Sequence, residues 1–321
     1  MPEPKYAVSP QPAPSSDLPV RAAWLYYIEG LTQQEVARVM KISRAKVIRL
    51  LAGAREQGVV RIRIDAKGPT QLVLEQQLIK AYKLSEVIVA PAPADEGALA
   101  AVVGHAVGTY LADQVRDGMA LGVGWGATLS MSLKSMGTQT FARFSVISLL
   151  GGMTHSRAIN PSAVARRIAD AFGADCYQLT APVFVASEAT RRALWEEPGL
   201  KDLLERARRL DLAVVSVGDV SEESTLFREG LLPRSHLRSL IEAGAVGEVL
   251  CHFLDDAGKV IDHSVSRRVV AVGLEELKRA PKIVIAAGGR RKVQAIGAAL
   301  KATGAQVLIT DESAARGLLG I

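Results

Sequence analysis

Apolar residues fall in different rhythms along the chain. From about Val20, through "VRAAWLYYIEG", Ala22, Leu25 and Ile28 recur at helical spacing and Gly30 stops the run. A second helix opens with Thr32 as N-cap and Glu35 three residues on, a capping box in which each side chain satisfies an orphan backbone donor. A third opens at Ser43 and closes near Gly58. "VVRIRI" then alternates as a short strand or wing, and "TQLVLEQQLIKAYKL" reads as an amphipathic helix placed to link two domains. From Ser85 the rhythm changes: short β-rich runs ("EVIVA", "FSVISLL", "DLAVVSV", "KIVIAA", "QVLIT") alternate with longer helical segments. That alternation predicts an α/β domain, a doubly wound, largely parallel sheet with helices on its faces.

Length and composition fit this division. A chain of 321 residues suits about two domains. The expected organisation is a flexible arm over 1–19, rich in proline and small polar residues, a helix-turn-helix domain over 20–64, a linker helix over 65–84 and a ligand-binding domain over 85–321. No internal repeat of fixed period is present. No apolar run reaches the roughly 18 residues needed to span a bilayer and the start lacks a signal-peptide pattern, so the expected location is cytoplasmic, with no membrane partner. Cys176 and Cys251 lie too far apart in sequence for a disulfide framework or thiolate site and read as small buried hydrophobes.

Charge changes the picture once it is located. Residues 1–64 hold ten Lys and Arg against five acids, so +5 of the net +6 belongs to the N-terminal segment. This is the distribution expected of a nucleic-acid-binding module joined to a domain with another task. Ala37 is small where the second and third helices would cross, Ile42 faces the core from the turn, and Val47 and Leu50 are apolar on the third helix. Arg44, Lys46 and Arg49 project from its other side, where side chains reach base edges and phosphates of double-stranded operator DNA. Thr32 and Gln33, opening the second helix, and Ser43, opening the third, would offer backbone N–H groups to phosphates. Lys41 stands where this motif usually has glycine. A solvated face of a helical bundle is the alternative for any such charge cluster; capping box, turn and charge asymmetry together favour DNA.

Three stretches of the second domain carry candidate chemistry. In "DGMALGVGWGATLSMSL" an apolar strand runs into Gly122, Gly124 and Gly126 and a helix follows, a turn that lets backbone N–H groups approach an anion. It matches neither a Walker loop nor GxGxxG. In "KIVIAAGGRRKVQAIGAALK" a strand ends at Gly288 and Gly289, with Arg290, Arg291 and Lys292 at the head of a helix. Such carboxyl ends of parallel strands are where ligands bind. In "GAVGEVLCHFLDDAGKVIDHSVSRR", Glu248 and Asp255 are carboxylates suited to sugar hydroxyls, although Asp255 before Asp256-Ala257-Gly258 also suits a turn. The five histidines show no ligand spacing; no metal and no cofactor is expected.

Taken together, "GLTQQEVARVMKISRAKVIRLL", "GVGWGATL", "GEVLCHFLDDAGKVID", "AAGGRRKVQAIGAALK" and "VLITDESAA" resemble the SorC family of bacterial sugar-responsive transcriptional regulators. The resemblance implies an effector domain related to sugar-phosphate isomerases, a homo-oligomer (a tetramer or dimer of dimers), and a sugar or polyol phosphate as effector. By that resemblance the phosphate-cradling loop falls on Gly124, Trp125, Gly126, Ala127 and Thr128. The glycine-glycine-to-lysine element falls on Gly288, Gly289 and Lys292, and the acidic sugar contact on Glu248, with Gly152 and Asn160 lining the same pocket. The expected function is a DNA-binding regulator of a carbohydrate or polyol operon, not an enzyme. The rival is a sugar-phosphate isomerase or deaminase with a helical appendage, using Glu248 or Asp255 with Lys292 as acid and base.

Overall fold

The computed structural model describes residues 18–60, 68–137, 139–154 and 159–321. Most of the expected N-terminal arm and most of the "VVRIRI" wing lie outside these; within them Val59 and Val60 form a bend, not a strand. The chain divides into two compact units, 1–63 and 64–321.

The first unit is helical. Helix α1 (Leu18–Ala23) continues into a wider turn over Trp24–Ile28, in which the Glu29 N–H reaches the Trp24 carbonyl at 3.1 Å. Helix α2 (Gln33–Met40) and helix α3 (Arg44–Glu56) follow. Ala22, Leu25, Val36, Ala37, Val47, Leu51 and Ala54 form its core, with Ile42 and Leu50 packed at the margin. The wide turn corrects the sequence reading of Ile28: an i to i−5 step rotates it off the stripe of Ala22 and Leu25, and it is 67% exposed. Leu51, rather than Leu50, is the fully buried leucine of α3.

The turn between α2 and α3 explains Lys41. Its φ of 53° and ψ of 45° are left-handed, while the Ile42 N–H returns to the Ala37 carbonyl at 3.0 Å and closes the helix end. A lysine bears a steric cost there that glycine avoids. Lys41→Gly is therefore expected to raise the stability of the first unit by about 1 kcal/mol, read as a higher unfolding midpoint of the full chain.

The second unit begins with helix α4 (Pro69–Tyr82), whose Leu74 and Leu78 join the core and whose buried Glu75 accepts the Val89 N–H at 2.9 Å. Seven strands form one parallel sheet: β1 (Glu86–Ala90), β2 (Ala120–Val123), β3 (Ser145–Ser148), β4 (Asp175–Tyr177), β5 (Leu212–Asp219), β8 (Ile283–Ala286) and β9 (Val307–Asp311). Their order is β1-β9-β8-β5-β2-β3-β4, and the hairpin β6 (Gly247–Val249) and β7 (His252–Leu254) pairs antiparallel with the end of β5. Successive strand residues alternate between two cores: Ala213, Val215, Ile283 and Ile285 face one, Leu212, Val214, Val284 and Ala286 the other. Helices α5 (Leu99–Gln114), α6 (Ala127–Ser132) and α7 (Pro161–Phe172) cover the second core. Helices α8 (Glu188–Glu196) to α14 (Glu312–Leu319) follow in chain order; among them α9 (Pro198–Ala207), α13 (Val293–Thr303) and α14 cover the first core with α4. This is the doubly wound, parallel sheet that the alternating runs predict.

Candidate functional site

In the first unit the α2 and α3 termini are built by short polar side chains. Thr32 Oγ1 accepts the Glu35 N–H at 3.3 Å, and Glu35 Oε2 in return accepts the Thr32 N–H at 2.8 Å. Those bonds hold the Glu35 carboxyl below the usual carboxylate range. They also occupy both donors of Thr32, whose hydroxyl bonds Glu35 at 2.8 Å as well. Among the described residues, the Gln33 and Gln34 N–H groups are the ones left open at this end. Ser43 Oγ accepts the Lys46 N–H at 3.2 Å and fixes the start of α3. Arg44, Lys46 and Arg49 are all exposed. Arg44 Nε reaches Gln33 Oε1 at 3.3 Å, which ties the two helices together in front of an open hollow lined by Tyr26, Tyr27, Thr32, Gln33 and Gln34. Lys46 and Arg49 have no protein partner among the described residues.

In the second unit the chain builds the sheet outward in two directions. The connections through β2, β3 and β4 run one way and those through β5, β8 and β9 the other, so the crevice between β2 and β5 is where a parallel sheet accommodates a ligand. The turn after β2 is stitched to β5: the Gly124 N–H donates to the Val214 carbonyl at 2.8 Å, and the Ser216 hydroxyl to that of Trp125. Gly126 has φ 111°, which a side chain would not tolerate, and a Cβ there would stand 2.9 Å from Ser216 Oγ. Ala127 and Thr128 then open α6. The Trp125 indole is 3% exposed and belongs to the core, so this turn presents its backbone and not its ring.

After β8, Gly288 and Gly289 bend the chain into α13. Asp311, at the end of β9, accepts the Gly289 N–H at 2.7 Å, and its other oxygen accepts the Ser313 N–H and hydroxyl. Gly288, Gly289, Arg290, Arg291, Lys292, Asp219, Asp311 and Ser313 line a cleft of about 230 Å³, closed on its other side by Ala92, Pro93, Glu96 and Leu99. Lys292 turns inward, its Nζ 2.7 Å from the Val217 carbonyl, whereas Arg291 faces Glu223 at 3.7 Å on the surface.

Behind Lys292 lies Glu248, 4% exposed, accepting the Cys251 N–H at 2.6 Å. The hairpin turn at Leu250 and Cys251 has φ of 52° and 64°, left-handed at two buried side chains, and the Glu248 carboxylate closes it. Burial pushes the Glu248 carboxyl up to about 7, opposed by the Cys251 N–H and by Lys292. Burial likewise draws the Lys292 ammonium down, opposed by Asp219 and Glu248.

Of the sequence-predicted positions, Gly288, Gly289, Lys292 and Glu248 come together. Gly124 to Thr128 sit two strands away across β5, roughly 10 Å in sheet spacing. Gly152 and Asn160 meet one another, the Asn160 amide donating to the Met153 carbonyl at 2.8 Å, beyond the neighbouring strand β3. Asp255 is not brought to the site. Its carboxylate accepts the Lys259 N–H at 2.8 Å in a turn beyond β7, and the adjacent Gly258 abuts the far end of α13 from Lys292. The turn role wins because Asp255 closes the turn after β7, between the bridged residues Leu254 and Val260. Asp219, Ser216 and Asp311 were missed; an acid directly after an apolar strand, as in "SVGD" and "LITD", was the available signal.

Similarity to known proteins fits this geometry. The Sugar-bind family model, a sugar-binding domain, matches residues 69–320. The erythritol catabolism regulatory protein EryD of Brucella abortus is 32% identical over 94% of this chain and 96% of its own. The chain belongs to the SorC family of sugar-binding transcriptional regulators. The deoxyribonucleoside regulator of Bacillus subtilis is 31% identical over 94% of this SorC-family chain and 97% of its own. The full-length sorbitol operon regulator SorC of Klebsiella pneumoniae, at 24% identity, has the same fold, with a TM-score of 0.71 over 95% of this chain and 100% of that one. No helix among the described residues is long and apolar enough to cross a membrane.

In this SorC-family chain the Glu248 carboxyl makes stability depend on pH. Its folded value lies above the ordinary 4.5, so between about 4.5 and 7 the folded state holds a proton that the unfolded state has lost. Stability from this group is full below that window and falls as pH rises through it. Glu248→Gln removes the fall: the variant is expected to gain stability relative to the parent between pH 5 and 8, on the order of 3 kcal/mol at most, measured by urea unfolding across pH.

Proposed function

We propose that this chain, a transcriptional regulator of a carbohydrate operon, reads operator DNA with α2 and α3 and holds a phosphorylated sugar or polyol in the cleft at the carboxyl ends of β5, β8 and β9 in its second unit. The observation that carries the reading is the inward-turned Lys292 beside Gly288 and Gly289. A single buried-side cation and a backbone cradle fixed by Asp311 suit a phosphate. Glu248 and Asp219 beside it suit hydroxyls, since each carboxylate accepts more than one hydrogen bond. Relatives named for erythritol catabolism and for deoxyribonucleosides support a small polyol or sugar derivative as the effector class.

The mechanism is linked binding in a homo-oligomer, a dimer of dimers. Paired helix-turn-helix units engage half-sites one or more helical turns apart, about 34 to 36 Å each. An effector that prefers one arrangement of the pairs changes DNA affinity by its differential affinity for the two, typically about 1 to 3 kcal/mol. The isomerase or deaminase alternative draws no support from the named relatives and loses Asp255 as a partner for Lys292.

The test is retention of DNA from upstream of the chain's own gene, with and without a panel of sugar and polyol phosphates and their unphosphorylated forms. One phosphorylated compound should change retention while its free sugar or polyol does not. An equal response to both would remove the phosphate from the reading. No specific retention on any neighbouring promoter would remove the DNA reading itself.

A further inference from the structure

Helix α3 carries an apolar residue where nothing in the protein needs one. Val47, Leu51 and Ala54 mark its buried side. At about 100° per residue, the opposite side is centred on Ala45, Arg49 and Ala52, with Ile48 beside them. Ile48 is 44% exposed and belongs to none of the core clusters. A β-branched side chain is a poorer helix former than alanine, so at an exposed position outside the core it costs a little and gains little burial in return. Exposed apolar residues are ordinary singly. This one stands one turn after Ala45 and between the exposed cations Arg44 and Arg49, with Lys46 further round the helix. The surrounding charge complements DNA phosphates, and within the major groove the one apolar group on a base edge is the C5-methyl of thymine.

We infer that Ile48, with Ala45 beside it, reads a thymine methyl in each operator half-site, while Arg44, Lys46 and Arg49 supply the phosphate and polar base contacts. The inference rests on the DNA-binding reading above. Ile48 then selects a T·A pair against C·G at one step, and contributes nothing to binding of unrelated sequence, where no methyl is held in register.

The experiment uses the full chain and an operator located by footprinting. Each thymine in the footprint is replaced in turn by deoxyuridine, which deletes the methyl and leaves the base-pairing edge intact. The parent protein should lose about three- to fivefold in affinity at one or two thymines per half-site, the value of one buried methyl. Ile48→Ala should lose a similar factor on the unmodified operator, none on unrelated DNA, and be indifferent to deoxyuridine at those same positions. Ile48→Val, which keeps the β-branch, should retain most of the sensitivity. Because the side chain is outside the core and alanine is the better helix former, the unfolding midpoint of Ile48→Ala should equal or slightly exceed the parent's. The inference is overturned if Ile48→Ala binds the operator as the parent does, or remains as sensitive to every deoxyuridine. It fails alone where the parent footprints a site under those results; it fails together with the DNA reading where the parent footprints nothing.

Discussion

Lys46→Ala/Arg49→Ala lowers operator affinity by at least about 100-fold near physiological salt. Each residue is exposed and lacks a protein partner among the described residues, so both are free to meet DNA. Charge-assisted hydrogen bonds contribute roughly 1.5 to 3 kcal/mol apiece, and two per engaged subunit reach that factor without any change of fold. The salt dependence separates this from a general weakening. Removing a phosphate contact flattens the slope of log K against log salt by about 0.9, so the variant should bind with a slope smaller by about 2 per engaged subunit if both residues touch phosphate. A fall nearer 1 would assign one of them, by geometry Arg49 at the centre of the outward face, to a base edge. Titration of fluorescent duplex at four or five salt concentrations reads both numbers. Unaltered affinity with unaltered slope would leave the first unit as a protein-binding bundle.

Lys292→Met is the second large effect. It should weaken the effector by about 100-fold or more, while operator binding without effector stays near the parental value. The cation is held inward on the Val217 carbonyl with the opposite charges of Asp219 and Glu248 beside it. Arg290→Ala and Arg291→Ala should cost several-fold less, since Arg291 is turned to Glu223 at the surface. Calorimetry with the responsive phosphate gives the affinities, and DNA retention without it checks that the reader is intact. Equal losses for all three variants would mean that the ligand sees a diffuse positive rim and no gripped cation.

The elements that could be read in advance were those whose signals are local. The capping box at Thr32 and Glu35 needs only four consecutive residues, and it is present as written. Buried parallel strands announce themselves as short runs of Val, Ile and Leu between glycines, because both faces are covered. What escaped depends on contacts across the chain. Ile28 looked like a core residue until one widened turn rotated it into solvent. Trp125 stood in a ligand-binding pattern, but the space beneath the turn takes its ring into the core. Asp255 and Glu248 are equally acidic neighbours in sequence; only the hairpin's pairing with β5 shows that one points back to Lys292 and the other closes a turn. Asp311 gave no sign of clamping Gly289, a contact spanning two strands.

That clamp also sets an order of manufacture. A ribosome releases helices α2 and α3 early and Asp311 with Ser313 last among the residues that shape the cleft. Until those two emerge, the loop at Gly289 lacks the acceptor for its N–H, so the cleft takes its final shape only after every other residue that lines it has been made. The last-made residues of the cleft are thus the ones that fix its earlier-made glycine bend in place.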